Sequence, residues 1–175
     1  GSNNIGIGLN ALASQTTGDN NTVVGFTAGH DMSTGADNVF MGVQAGYANT
    51  TGVSNVAIGK NSLLANISGQ YNTAVGTGAG LTVTTGSENV FIGNGSNGTA
   101  TNTAEANAIG NAVVGASGYT TLGFSSSDIR ASHGSTTWST VSDERYKKDI
   151  TSSTAGLSFV NELRPVTWNY KTLGE

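Results

Sequence analysis

The chain repeats itself every 17 residues. An asparagine recurs at this period, and a glycine follows each asparagine four residues later. The asparagines are Asn4, Asn21, Asn38, Asn55, Asn72 and Asn89, and the glycines are Gly8, Gly25, Gly42, Gly59, Gly76 and Gly93. A second glycine column precedes the asparagines by three residues, at Gly18, Gly35, Gly52, Gly69 and Gly86. A fixed period of this length predicts a solenoid, in which each repeat forms one coil stacked on its neighbour.

Each coil is predicted to hold one short strand between its asparagine and its glycine, as in the stretch 55–59. The residue before the glycine is large and apolar: Ile7, Val24, Met41, Ile58, Val75, Ile92 and Ile109. We expect this column to form the core, stacked at the strand spacing of about 4.8 Å.

The opposite face of the same strand also lacks polar residues, and it carries Gly6, Val23, Phe40, Ala57, Ala74 and Phe91. A lone roll would expose one apolar face as a continuous stripe, which soluble monomers rarely tolerate. Self-association is therefore predicted.

The asparagine column is interpreted as structural, because stacked amides can bond to one another and to the turn backbone. The glycines are expected to permit positive φ at the corners. A ligand-binding asparagine column is the less favoured alternative. Paired Ser and Thr residues before the turn glycines suggest an ice-binding ladder, but they lie at corners, and Ile67 followed by Ser68 interrupts them.

Composition favours an ordered chain without a conventional core: it has 26 glycines, 36% hydrophobic residues and 10% charged residues, yet it is rich in β-branched residues. The net charge of -4 provides no basic field for nucleic acid or anionic lipid. No cysteine is present, which excludes disulfides and thiolate metal sites. No apolar run approaches the roughly 20 residues that span a bilayer. No signal-peptide pattern opens the chain, so we expect any export address to be encoded elsewhere.

Charge and glycine content change abruptly near Val141. Residues 1–141 hold two basic and six acidic side chains, whereas residues 142–175 hold five of each, and only Gly156 and Gly174 follow Val141. We predict a β-roll over 1–110, a β-rich neck over 111–141 and a third region over 142–175. Ala106 stands where the seventh asparagine is due, so the solenoid is expected to end there. The predicted neck strands are Ala112 to Val114, Tyr119 to Leu122 and Ile129 to Ala131.

The repeats, in particular Asn55 to Gly59, resemble the head repeats of trimeric autotransporter adhesins of the YadA type, although these coils are a few residues longer. The resemblance covers residues 1 to about 110 and implies a homotrimer of left-handed parallel β-rolls. The fold class expected is therefore all-β: a homotrimeric left-handed parallel β-roll with 17-residue coils, a β-rich trimeric neck and a short C-terminal α+β piece.

The stretch 142–150 reads Ser-Asp-Glu-Arg-Tyr-Lys-Lys-Asp-Ile. A short helix is predicted after it from the spacing of Leu157, Val160 and Leu163, and Pro165 should end that helix. A strand is expected to follow the helix within the stretch 166–170. This region resembles the opening of the endosialidase-type intramolecular chaperone at the C-terminus of phage tail spikes and fibres, which it matches in the Ser-Asp-x-Arg-x-Lys start, the helix and the Pro-Val-x-Trp element.

The resemblance implies that the chaperone drives trimer assembly and then releases itself by cleavage between Val141 and Ser142. Ser142 would be the nucleophile and Lys147 the base, with Lys148 as the second candidate; a lysine base requires burial that depresses its pKa. Only 34 residues follow the cleavage site, too few for the complete chaperone. An intact bond between Val141 and Ser142 is therefore consistent with this resemblance. The alternative is a solvated helix start with Asp143 and Glu144 at its N-terminus.

The leading functional hypothesis is a structural trimeric tail-fibre protein of a bacteriophage, assembled in the host cytoplasm and located in the virion. It would attach to a bacterial surface receptor, either a glycan or an outer-surface protein, through exposed turns. The alternative is the head of a trimeric adhesin on a bacterial cell surface. Neither hypothesis involves nucleic acid or membrane insertion.

We expect no catalysis beyond self-cleavage, because the carboxylates Asp19, Asp31, Asp37 and Glu88 lie singly in turns rather than as a glycosidase pair. No cofactor and no metal is expected, because His30 and His133 each lack a neighbouring His or Cys. Trp138 is interpreted as a packing anchor.

Overall fold

The computed structural model describes residues 1–125 and 127–140, and in this part every regular element is a β-strand. One strand per coil forms the roll: β1 (Ile5–Ile7), β2 (Thr22–Val24), β3 (Val39–Met41), β4 (Val56–Ile58), β5 (Thr73–Val75), β6 (Val90–Ile92) and β8 (Asn107–Asn111). Consecutive strands pair in parallel at the repeat offset, so that Ile5 lies opposite Thr22 and Thr22 opposite Val39. The predicted parallel β-solenoid is confirmed.

The half of each coil that follows the glycine consists of turns, and its backbone bonds to the next coil. Leu12 donates its N–H to Ala28 O at 3.2 Å, and Gly29 donates to Ala45 O at 2.9 Å. Both halves of the coil are therefore hydrogen bonded along the stacking direction, which satisfies backbone groups that would otherwise be buried without partners.

The core lies on the face of the strand opposite to the predicted one. The middle residues of the strands, including Val23, Phe40, Ala57 and Phe91, are fully buried. The column predicted as the core faces outward instead, and Ile58 is 39% exposed. The prediction of two apolar faces was right, but the assignment of the inner one was wrong. Because both faces are apolar, the alternation of side chains along the strand could not predict which face points inward. The column with more small residues, that of Ala57, lies inside the narrow coil.

Core volume is shared between the strand and the returning half of the coil. A Cβ added at Gly46 would lie 2.7 Å from Cζ of Phe40, so the absence of a side chain at Gly46 makes room for the ring. Where the strand carries only Ala57, the returning half supplies the fully buried Leu63. Large and small residues thus complement one another between the two halves, as close packing of a core requires.

The neck continues the same sheet. After β7 (Asn97–Gly98) and β9 (Val114–Gly115), which pair with each other, come β10 (Tyr119–Phe124), β11 (Ser127–Ser132) and β12 (Ser139–Thr140). β10 is parallel to β8, whereas β11 is antiparallel to both β10 and β12.

Two of the predicted neck strands, Tyr119 to Leu122 and Ile129 to Ala131, are confirmed within β10 and β11. The third prediction, a strand over Ala112 to Val114, was wrong, because the chain turns at Ala112 with φ 53° and the strand starts at Val114. The predicted C-terminal helix lies outside the described residues. In the described part, no helix has the length and apolar character needed to cross a bilayer.

Candidate functional site

The asparagine column forms a ladder of side-chain amides inside the roll. Asn38 donates its backbone N–H to Oδ1 of Asn21 at 3.0 Å and its side-chain Nδ2 to the same oxygen at 3.1 Å. The second N–H of that Nδ2 goes to Gly52 O at 2.9 Å. Each interior amide therefore uses both donors and both acceptor positions within the protein, as the structural interpretation of this column predicted.

The ladder ends at Ala106, the residue that replaces the seventh asparagine. Ala106 donates its backbone N–H to Oδ1 of Asn89 at 3.0 Å, but its methyl side chain offers no amide to continue the ladder. The amide ladder therefore ends at the coil that adjoins the neck.

A second, shorter ladder was not predicted from the sequence. Asn66 donates Nδ2 to Oδ1 of Asn49 at 2.7 Å, and both side chains are fully buried. Its column also contains Gln15, Met32 and Val83, and this mixture of polar and apolar residues concealed it. Because Val83 offers no donor, Oδ1 of Asn66 has no hydrogen-bond partner among the residues that the structure describes.

The two glycine columns have different roles. The glycines that end the strands have φ between 120° and 146°, a range that disfavours any side chain, as predicted. The turn glycines are needed for a different reason, since a Cβ at Gly35 would lie 2.6 Å from Gly52 O in the next coil. Close approach of successive coils, rather than positive φ, requires glycine in this second column.

The outward column of the strands forms an unbroken stripe over the whole described sheet. Sheet register places Ile109 beside Leu122, Leu122 beside Ile129, and Ile129 beside Thr140. The stripe, named here the outer stripe, consists of Ile7, Val24, Met41, Ile58, Val75, Ile92, Ile109, Leu122 and Ile129. Its exposed members range from Ile109 at 37% to Ile7 at 59%. The extension through Leu122 and Ile129 was not predicted, because strand spacing changes in the neck.

The outer stripe stops beside Thr140, one residue before Val141. The family model described as chaperone of endosialidase matches residues 142–175. No curated protein and no solved structure matches the chain. A β-solenoid that is followed by a segment of the endosialidase chaperone fits a structural protein of the tail-fibre or tail-spike kind.

The proposed cleavage residues belong to this chaperone segment or border it. Val141, Ser142, Lys147 and Lys148 lie outside the described residues, so their predicted roles stay predictions. The match to the endosialidase chaperone starts at Ser142, the predicted nucleophile.

The hydroxyls at the coil corners are used inside the roll. Thr16 Oγ1 donates to Ser33 O at 2.8 Å, and Ser33 Oγ donates to Thr50 O at 3.1 Å. These hydroxyls tie one coil to the next, which argues against an ice-binding ladder formed from them.

The two histidines make local contacts. Nδ1 of His30 lies 2.6 Å from Oδ1 of Asp31, and its ring stacks on Tyr47 with centroids 5.0 Å apart. Nε2 of His133 lies 3.3 Å from Oγ1 of Thr120. Within residues 1–125 and 127–140, no three His, Cys, Asp or Glu side chains converge in a way that could hold a metal ion.

Proposed function

We propose that this chain forms the distal shaft of a homotrimeric tail fibre, in which three copies bury their outer stripes against one another. The observation that carries the proposal is the continuity of the stripe across the described sheet from Ile7 to Ile129. The sheet carries this stripe on a face that no other part of the described chain covers, with Met41 at 42% exposure and Ile92 at 39%.

The apolar area explains why association is favourable. Burial of apolar surface contributes about 25 cal/mol per Å². Every coil contributes one outward apolar side chain to the stripe, so the apolar area adds up along the shaft, whereas a globular monomer concentrates such residues in a core. If the three chains run parallel around a common axis, the stripe is buried along every coil at the same time.

Host attachment is proposed to occur through exposed turns of the coils. Exposed side chains at these corners include Tyr71, at 59% exposure, and Ile67, at 46%. Turns tolerate sequence change because the ladder and the strands hold the coil, so recognition residues can vary without loss of the fold. The receptor is proposed to be a glycan or a protein on a bacterial surface.

Release of the chaperone segment is proposed to proceed by attack of Ser142 on the carbonyl of Val141, with Lys147 as base. The Ser142 hydroxyl adds to that carbonyl, the C–N bond breaks, and the freed amine of Ser142 takes the proton. Water then hydrolyses the ester, which leaves a carboxylate on Val141 and restores the serine hydroxyl. The reaction is proposed to require a complete chaperone. Residues 142–175 match the family model of that chaperone.

The alternative is the head of a bacterial trimeric adhesin. The repeats favour it as strongly as they favour a fibre, whereas the match to the endosialidase chaperone favours the fibre.

Light scattering of the purified chain tests the association common to both. We expect a mass three times the 17.6 kDa of one chain. A stable, well-folded monomer at micromolar concentration would contradict the proposal.

A further inference from the structure

Two Asn-Gly pairs lie close together in the last part of the roll. They are Asn94 with Gly95 and Asn97 with Gly98, and no other Asn-Gly pair occurs in the sequence. In this dipeptide the backbone nitrogen of the glycine can attack the side-chain amide of the asparagine, because glycine has no Cβ to hinder the approach. The sequence treats the two pairs alike, and Asn94 is the more exposed of the two asparagines.

The first pair is bonded to a neighbouring coil on each side. Gly95 donates its N–H to Thr77 O at 2.9 Å, and Asn94 O accepts the N–H of Ala112 at 2.8 Å. The bond to Thr77 must open before the nitrogen of Gly95 can attack the amide of Asn94. Backbone groups that are bonded within stacked coils react through local opening of the structure. Folding is therefore expected to protect this pair.

The nitrogen of the second pair faces its own asparagine side chain. Gly98 donates its N–H to Oδ1 of Asn97 at 2.9 Å. β9 accepts the N–H groups of the two flanking residues, Asn97 and Thr99. Because the N–H groups of successive strand residues point to opposite edges, that of Gly98 points away from β9. The fold thus leaves the attacking nitrogen beside the amide that it would attack, and proximity of this kind speeds an intramolecular reaction.

Packing maintains the glycine of this second pair. A Cβ added at Gly98 would lie 2.6 Å from Cβ of Thr103. Thr103 is held in turn, because its Oγ1 accepts the N–H of Ala100 at 2.9 Å and donates to Ala100 O at 2.8 Å. A side chain at position 98 would hinder the attack, but it would also collide with Thr103. The close packing therefore favours the reactive dipeptide.

We propose that Asn97 is a site of spontaneous conversion to aspartate and isoaspartate, and that the fold selects it over Asn94. The nitrogen of Gly98 forms a bond to Cγ of Asn97, while its proton passes to Oδ1 along the existing hydrogen bond. The tetrahedral carbon then re-forms its carbonyl and expels Nδ2 with that proton as ammonia, which leaves a cyclic imide. Water opens the imide at Cγ to give aspartate, or at the main-chain carbonyl to give isoaspartate.

Isoaspartate would disturb the last coil. It adds one carbon to the main chain within β7, so that the residues after position 97 lose their register with β9. β9 packs against the strand of that coil, since a Cβ added at Gly115 would lie 3.0 Å from Cβ of Ala108. The modified chain is therefore expected to melt at a lower temperature than the unmodified one.

The test compares both asparagines within one peptide of the full chain. The folded protein and the same protein unfolded in urea are incubated at neutral pH and then digested after glutamate, which releases residues 89–105. Mass spectrometry locates the gain of about 1 Da at each asparagine, and electron-transfer fragmentation separates aspartate from isoaspartate. In the folded chain Asn97 should react at least about tenfold faster than Asn94. In urea the two should react at similar rates, because both precede glycine.

Asn97→Gln is the matched control for the effect on stability. Glutamine keeps the amide but is one methylene longer, so attack by Gly98 would have to close a six-membered ring and is slow. The melting temperature of the incubated Asn97→Gln protein should stay constant. That of the parent should fall as isoaspartate accumulates.

Three outcomes would overturn the inference. The first is equal reaction of Asn94 and Asn97 in the folded chain, and the second is faster reaction at Asn94. The third is a folded chain in which neither asparagine reacts, although both react in urea. Each of these would mean that the hydrogen bond from Gly98 to Asn97 does not select the site.

Discussion

Asn72 donates its side-chain Nδ2 to the amide oxygen of Asn55 at 3.1 Å, one coil away, while its backbone N–H bonds to the same oxygen at 3.0 Å. This relationship recurs along the roll. Each amide donates to the asparagine of the previous coil and accepts from the asparagine of the next coil. Loss of one rung should therefore affect two coils.

Removal of a single rung should destabilise the roll strongly. Asn55→Ala leaves Oδ1 of Asn38 without its side-chain donor and the buried N–H of Asn72 without an acceptor. Buried groups without partners cost about 1 to 3 kcal/mol each, so we expect a loss of about 3 kcal/mol in the free energy of unfolding. Chemical denaturation measures it. Gln70→Ala, an exposed corner residue, is the control, and equal effects of the two changes would contradict the ladder's role.

A turn glycine that touches the next coil and Gly78, which belongs to neither glycine column, should respond differently to alanine. Gly35→Ala places a methyl group 2.6 Å from Gly52 O and forces the coils apart. We expect this change to lower the free energy of unfolding by about 3 kcal/mol. Gly78→Ala meets no atom within 4 Å and carries only the cost of φ +66°, about 1 kcal/mol. Thermal unfolding of both variants compares them. A reversed order would show that coil spacing does not constrain the second glycine column.

Charge on the outer stripe should break association without unfolding the coil. Ile58→Asp places one carboxylate per chain in the proposed interface, where burial of an unpaired charge is costly. We expect the trimer to dissociate at concentrations at which the parent remains intact, as measured by light scattering. Ile67→Asp makes the same change at a corner side chain that is 46% exposed and outside the stripe. An Ile58→Asp trimer as stable as the Ile67→Asp trimer would exclude this interface.

Phe40 and Gly46 should be energetically coupled. Gly46→Ala alone drives a methyl group into the Phe40 ring, whereas in a Phe40→Ala background that space is empty. The double-mutant cycle should therefore give a favourable coupling of about 1 to 2 kcal/mol. Phe40→Ala alone should cost about 3 to 5 kcal/mol, because it leaves a cavity in the core. Additive effects would mean that the two residues do not share volume.

Self-release should depend on one serine and one lysine. With a complete chaperone attached, Ser142→Ala should abolish cleavage after Val141, and Lys147→Ala should slow it at least about a hundredfold. Lys148→Ala is the matched control and should cleave normally. Mass spectrometry of the products gives the cleavage position. Cleavage at Val141 in the Ser142→Ala chain would remove Ser142 as nucleophile, and loss of cleavage only in Lys148→Ala would reassign the base.

The repeat period by itself determined the solenoid, the position of its strands and the asparagine ladder. These follow from local rules, since a fixed period places identical residues in register and a stacked amide has a neighbour to bond with. The end of the ladder at Ala106 was also readable, because it is the absence of one residue type from a column. The second ladder at Asn49 and Asn66 was not, because its column mixes amides with Met32 and Val83.

Only the tertiary structure decided which apolar face is inside. Ile58 and Ala57 are adjacent, and both are apolar, so the sequence offers no polar face that must point to water. The choice depends on how the two halves of the coil share volume: at this coil the returning half supplies the fully buried Leu63, and Ala57 rather than Ile58 joins it in the core. The column that carries a large apolar residue on every coil is therefore left outside, where it forms the stripe on which assembly is proposed to depend.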